Sequence, residues 1–164
     1  MTTAIAYLID PYADLVASTM DPDVLDIVIR VRPIKVSVDK DGQISGKEII
    51  RMIGGPVHNP DLFECVRIAD LLDLWIDESG LLAPAVMAWE TARYPNPLVG
   101  RALILGNDAM GGSIAPDITQ EALEKLLDLR VKGFYGHSDQ DIQNLINSVT
   151  ENAAAILNSI KDKS

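Results

Sequence analysis

The sequence predicts an α+β protein: a mostly antiparallel sheet with helices packed on one face and a long C-terminal helix. Three observations carry that expectation. Apolar residues alternate from Leu25 to Val38, with Ile27, Ile29 and Val31 before Pro33 and Ile34, Val36 and Val38 after it, which is the period of a strand. Short apolar runs end abruptly at turn residues: Ala4–Ile9 at Asp10-Pro11, and Ala102–Leu105 at Gly106. Two later stretches repeat apolar residues at helical spacing. The resulting order is strand, hairpin, helix, three strands, helix, long helix, which favours an antiparallel sheet over a parallel one.

Each element has its own local reason. Ala4–Ile9 is a buried strand, and Tyr12–Met20 has no clear period. Asp39-Lys40-Asp41-Gly42 is turn chemistry, with Gly42 free to take positive φ, and a hairpin returning through Gln43–Ser45 is expected. Lys47–Ile53 carries Ile49, Ile50 and Ile53 on one helical side and stops at Gly54-Gly55-Pro56. His58–Asp61 reads as a loop, Leu62–Ile68 and Leu71–Ile76 as strands, and Asp77–Gly80 as a turn. Leu82–Glu90 fits helix or strand, and Tyr94-Pro-Asn-Pro97 reads as irregular. Thr119 caps a helix through Leu129 whose apolar positions are Ala122, Leu123, Leu126 and Leu127, and Val131–Tyr135 is a short strand. Ser138 with Asp141 resembles a capping box, opening one helix to about Lys161. The chain is read as one domain over residues 1–164, with 137–161 as a helical extension.

Composition narrows the function. Net charge is −10, from 24 acids against 14 bases, and no basic run occurs. A phosphate backbone requires Lys and Arg to displace counterions, so direct nucleic-acid binding is disfavoured, while a protein with a basic surface is a compatible partner. The single cysteine, Cys65, excludes an internal disulfide and suits a reducing compartment; its apolar run reads as core. The first residues lack a charged leader region and read as a strand. No apolar run approaches the ~18 residues of a membrane span.

Candidate sites are few. Ser37–Glu48 aligns with a calcium-binding loop through Asp39, Asp41, Gly42 and Glu48. Ser37 stands where a carboxylate is usual and the preceding segment is strand-like, so a hairpin turn leading into a helix is the stronger expectation, with no cofactor. His58 and His137 lie far apart without zinc-ligand spacing, and no nucleophile elbow or phosphate loop occurs. The densest block is Tyr94-Pro-Asn-Pro-Leu-Val-Gly-Arg-Ala-Leu-Ile-Leu-Gly-Asn-Asp108. Two prolines fix backbone ahead of Gly100, and Arg101 stands at the mouth of a strand that ends in Gly106, Asn107 and Asp108. Pre-organised backbone beside an Arg suits an anionic, nucleotide-like ligand, with Tyr94, Arg101, Asn107 and Asp108 as its contacts. Equally, the block is a tight crossover with Arg101 paired to an acid such as Asp77 or Glu90.

At this block the chain resembles an uncharacterised family of small phage and mobile-element proteins. The resemblance rests on Asp10-Pro11-Tyr12, Ile49–Gly54, Asp77-Glu78-Ser79-Gly80-Leu81-Leu82 and Tyr94–Asp108, in that order. Residues 13–45 and the last helix depart from it. The resemblance implies expression in the cytoplasm of a bacterial host and supplies no catalytic residue. Three functions follow as expectations. The first is a non-enzymatic accessory protein that binds a host protein or a small anionic ligand, with blunting of host defence as its role. The second is an enzyme built on Asp77, Glu78, Arg101 and Asp108. The third is a calcium-stabilised structural domain. The apolar stripe of the last helix either packs on its own sheet or pairs with a second copy.

Overall fold

The computed structural model describes residues 2–17, 26–54, 63–77 and 83–163. Two sheets form, and every strand pairing among the described residues is antiparallel. The first sheet contains β1 (Thr2–Ile9), β4 (Val31–Val38), β5 (Phe63–Ala69), β6 (Leu72–Asp77) and β9 (Ala102–Asn107) in the order β4-β1-β9-β6-β5, with β10 (Ser113–Ile114) on the far end of β9. The second runs β2-β3-β11-β7-β8, from β2 (Leu15–Ala17), β3 (Ile27–Ile29), β11 (Arg130–Gly136), β7 (Ala85–Thr91) and β8 (Tyr94–Val99). Four helices complete the chain: α1 (Gly46–Ile53), α2 (Gln120–Leu127), α3 (Asp139–Asn147) and α4 (Glu151–Lys163). The α+β class and the antiparallel pairing are therefore as expected.

The helices divide between two cores. Ile9, Leu74 and Ile104 of the first sheet meet Ile29, Met87 and Trp89 of the second, together with buried leucines and isoleucines of α2, α3 and α4. On the opposite face of the first sheet, Ala6, Val36, Leu103 and Leu105 pack against Ile49 and Ile53 of α1. β9 is thus covered on both sides: Ala102 and Ile104 point into one core, Leu103 and Leu105 into the other. This is why its sequence is continuously apolar rather than alternating.

Three elements differ from the sequence reading, each for a physical reason. Tyr94–Val99 is a strand, β8, at the end of the second sheet's order. An edge strand can lose two ladder donors at Pro95 and Pro97, and those prolines discourage pairing with another chain. The long C-terminal helix is two helices. α3 ends at Ser148, whose hydroxyl donates to the Leu145 carbonyl, and α4 opens where Thr150 accepts from the Ala153 and Ala154 N–H groups. Leu145, Ile146, Leu157 and Ile160 lie in the larger core, so the apolar stripe is spent within the chain. The turn at Asp39–Gly42 forms, with Gly42 at φ 78, but no return strand follows; the Ile44 N–H donates instead to the Ser113 carbonyl.

Candidate functional site

Strand register builds a deeply buried polar cluster. Ala102 is the Cα partner of Ile9 on one side and of Ile76 on the other. One step beyond, Arg101 leaves the sheet between Asp10, just past β1, and Asp77, the last residue of β6. Asp10 is 1 % exposed. One of its oxygens accepts the Tyr12 N–H at 3.0 Å, and the other meets the Arg32 guanidinium at 2.9 Å and Arg101 Nε at 3.2 Å. Nε is close enough for charge attraction but is not aligned to donate a hydrogen bond. The Arg101 Nη1 donates to the Gly54 carbonyl at the end of α1. Arg32 also holds Asp14 at 3.0 Å, and burial raises the Asp14 carboxyl.

Tyr12 closes the cluster. Its hydroxyl oxygen accepts the Met87 N–H at 3.5 Å and stands near Gly100. Burial, opposed by that N–H and reinforced by the Asp10 charge, pushes the phenol up to about 12. Residues far apart in the sequence therefore meet at one place: Asp10 and Tyr12, Gly54, Asp77, and Gly100 with Arg101. The cluster is engaged except at Arg101 Nε, which is buried without a hydrogen-bond partner. Arg101 is engaged by a carboxylate and a carbonyl, and a phenol at about 12 is no neutral-pH base.

The four residues expected to share a ligand are not brought together. Arg101 and Asp108 flank opposite ends of β9, roughly 24 Å apart at the rise of an antiparallel strand. Tyr94 begins β8 beside Thr91, half-buried against the larger core. Asn107 Nδ2 donates to Asp73 at 3.1 Å, and Asp73 is held by Arg67 at 2.7 Å. Asp108 shapes the next loop. Its Oδ1 accepts the Met110 and Gly112 N–H groups at 2.8 and 2.7 Å, and its Oδ2 accepts from Gln43. These contacts, the Gly112 N–H foremost, lower its carboxyl. The carboxylate–Arg enzyme site is dispersed for the same reason: Asp77 adjoins Arg101, but Asp108 is at the far end, and Glu78 lies outside the described residues. The acid that pairs with Arg101 is Asp10, and Glu90 faces Lys132.

The calcium-like loop is entered from a strand, β4, and two of its acids have other duties. Asp39 accepts the Asp41 and Gln43 N–H groups, and Glu48 binds Arg51 and the Ser37 N–H. Among the described residues no group of three His, Cys, Asp or Glu is placed to hold a metal ion. His58 lies outside the described residues, and the His137 N–H donates to the Pro84 carbonyl. Cys65 is exposed on β5, not core, because Val66 and Ile68 are the inward residues there. Partial desolvation and the Asp73 charge push its thiol up to about 11, so it carries little thiolate at neutral pH.

Glu48 gives a testable pH dependence. Hydrogen bonding from Arg51, opposed by burial and aided by the Ser37 N–H, brings its carboxyl from 4.5 down to about 2. A folded-state value below the unfolded one stabilises the chain above pH 4.5, and that stabilisation is lost as pH falls through 2. Urea unfolding across this range should show wild type more stable than Glu48→Gln near neutrality, with the difference closing toward the acid end. A pH-independent difference would mean that the charge of Glu48 contributes nothing.

Comparison with family models, with curated proteins and with solved structures finds no match to this chain. Among the described residues no helix is long and apolar enough to cross a membrane.

Proposed function

We propose that the chain is a non-enzymatic accessory protein of a phage or mobile element, acting in the host cytoplasm by binding a basic host protein, with interference in host defence as its role. The observation that supports this most is the use of its arginines. All seven are already engaged: Arg30 by Glu124, Arg32 and Arg101 by Asp10, Arg51 by Glu48, Arg67 by Asp73, Arg130 by Asp26 and Asp128, and Arg93 by the Ile68 carbonyl. A molecule of net charge −10 whose guanidiniums each have a partner within the chain presents acids outward, which suits a cationic protein surface. A small anionic ligand at Arg101 has less support, because it would have to displace a nearly fully buried carboxylate.

The test is affinity capture from bacterial extract, with a folded acidic protein of matched net charge as control. A discrete basic protein, retained by this chain and not by the control and released by raised salt, is the expected result. Capture indistinguishable from the control would sink the reading. A nucleotide that stabilises wild type but not Arg101→Ala would favour the anion instead.

A further inference from the structure

The end of the first sheet remote from Arg101 carries a second feature, a cleft of ≈ 610 Å³ between the β5–β6 turn, the end of β9, the segment after β10, and α2. Its wall includes Leu71, Leu72, Ile114, Ile118 and Leu126. Asp70 and Asp117 also line it and both are exposed, and Asn107 adds a side-chain amide. Among the described residues, no Lys, Arg or His lines it. The volume is in the range of binding clefts, roughly 300–1,000 Å³.

Leu71 is the unusual residue. It holds a left-handed backbone, φ 61, at a tight turn where glycine or asparagine would be relaxed. Its side chain is 62 % exposed. A leucine there gains little from burial and strains the turn, and strained backbone positions cluster at ligand-binding and active sites. The apolar wall thus continues past the cleft onto the surface, where an extended chain has more to contact than a compact molecule.

Resting on the protein-binding reading above, we propose that this cleft is the docking site, and that it takes a basic amphipathic segment of the partner. An apolar side chain of that segment packs on Leu71, Leu72, Ile114 and Ile118, and a neighbouring Lys or Arg faces Asp70 and Asp117. The charge lining the cleft excludes an acidic segment, and its apolar wall gives a purely polar cation little to bury.

The test uses the full chain, ¹⁵N-labelled, titrated with three short peptides: alternating Lys and Leu, alternating Glu and Leu, and alternating Lys and Ser. The Lys/Leu peptide should shift the amides of residues 69–72, 106–107 and 114–118, and the other two should not. Asp70→Lys with Asp117→Lys should weaken that binding about tenfold, as two attractions become repulsions. Leu71→Gly should weaken binding and raise Tm at the same time, because the turn strain is relieved. A purely structural Leu71 would instead lose Tm on replacement. Shifts elsewhere on the molecule, equal binding by the variants, or no Lys/Leu binding would each overturn the cleft. Salt-sensitive capture of a basic protein, undiminished in Leu71→Gly, would overturn the cleft and leave the protein-binding reading standing.

Discussion

Asp10→Ala is expected to destabilise the chain by about 3 kcal/mol, lowering Tm by roughly 6–12 °C for a protein of this size. The carboxylate is almost wholly buried and answers two guanidiniums and the Tyr12 N–H at once. Removing it leaves Arg101 without the carboxylate it pairs with, and the reciprocal change is milder. Arg101→Ala leaves Asp10 with Arg32 and Tyr12, so it should cost about half as much. Arg32→Ala should cost least, because Arg32 is 45 % exposed and water can replace its contacts. Urea unfolding of the three variants at neutral pH checks the order. If Arg101→Ala cost as much as Asp10→Ala, the knot would be centred on the guanidinium, and the account of Asp10 as its hub would be wrong.

That hub was only half legible in the sequence. Asp10-Pro11 marked the end of a strand and Arg101 the start of another, so both residues stood out as boundaries. What joins them is register, and register is set by which faces of β1, β9 and β6 bury their apolar residues together. No spacing in the sequence states that Ile9 and Ile76 both oppose Ala102. The same strand explains the opposite error. Asn107 and Asp108 sit close to Arg101 in sequence, yet β9 runs straight between them, and a strand separates its ends by its full length. The cleft was invisible for a different reason. Leu71 reads as an ordinary strand leucine, and only its positive φ and exposure set it apart. The helices and their caps were easier, since Ser138 and Thr119 act within a few residues of themselves. The break before α4 was masked by an apolar stripe that continues through it. The prolines of β8 suggested disorder of pattern, when at a sheet edge they are simply tolerated.

Trp89→Ala should cost about 3–5 kcal/mol, the largest effect expected of any single replacement in the larger core. Trp89 is fully buried, and its indole N–H donates to the Gly100 carbonyl at 2.8 Å. Gly100 also donates its N–H to the Met87 carbonyl at 3.0 Å and adopts φ 72, so β7 clamps the crossover by which the chain passes from the second sheet to the first. Trp89→Phe separates the two contributions. It retains most of the apolar volume but leaves the Gly100 carbonyl without its donor, which should cost about 1–3 kcal/mol. Arg101 follows Gly100 directly, so the indole and Asp10 hold neighbouring residues of one crossover from two sides. The double variant Trp89→Phe with Asp10→Ala should therefore lose less than the sum of the singles, by more than about 0.5 kcal/mol, because once either anchor goes the crossover relaxes and the other has less to hold. Strict additivity in urea unfolding would mean that the two contacts are independent, and that the crossover between the sheets is not a single mechanical unit.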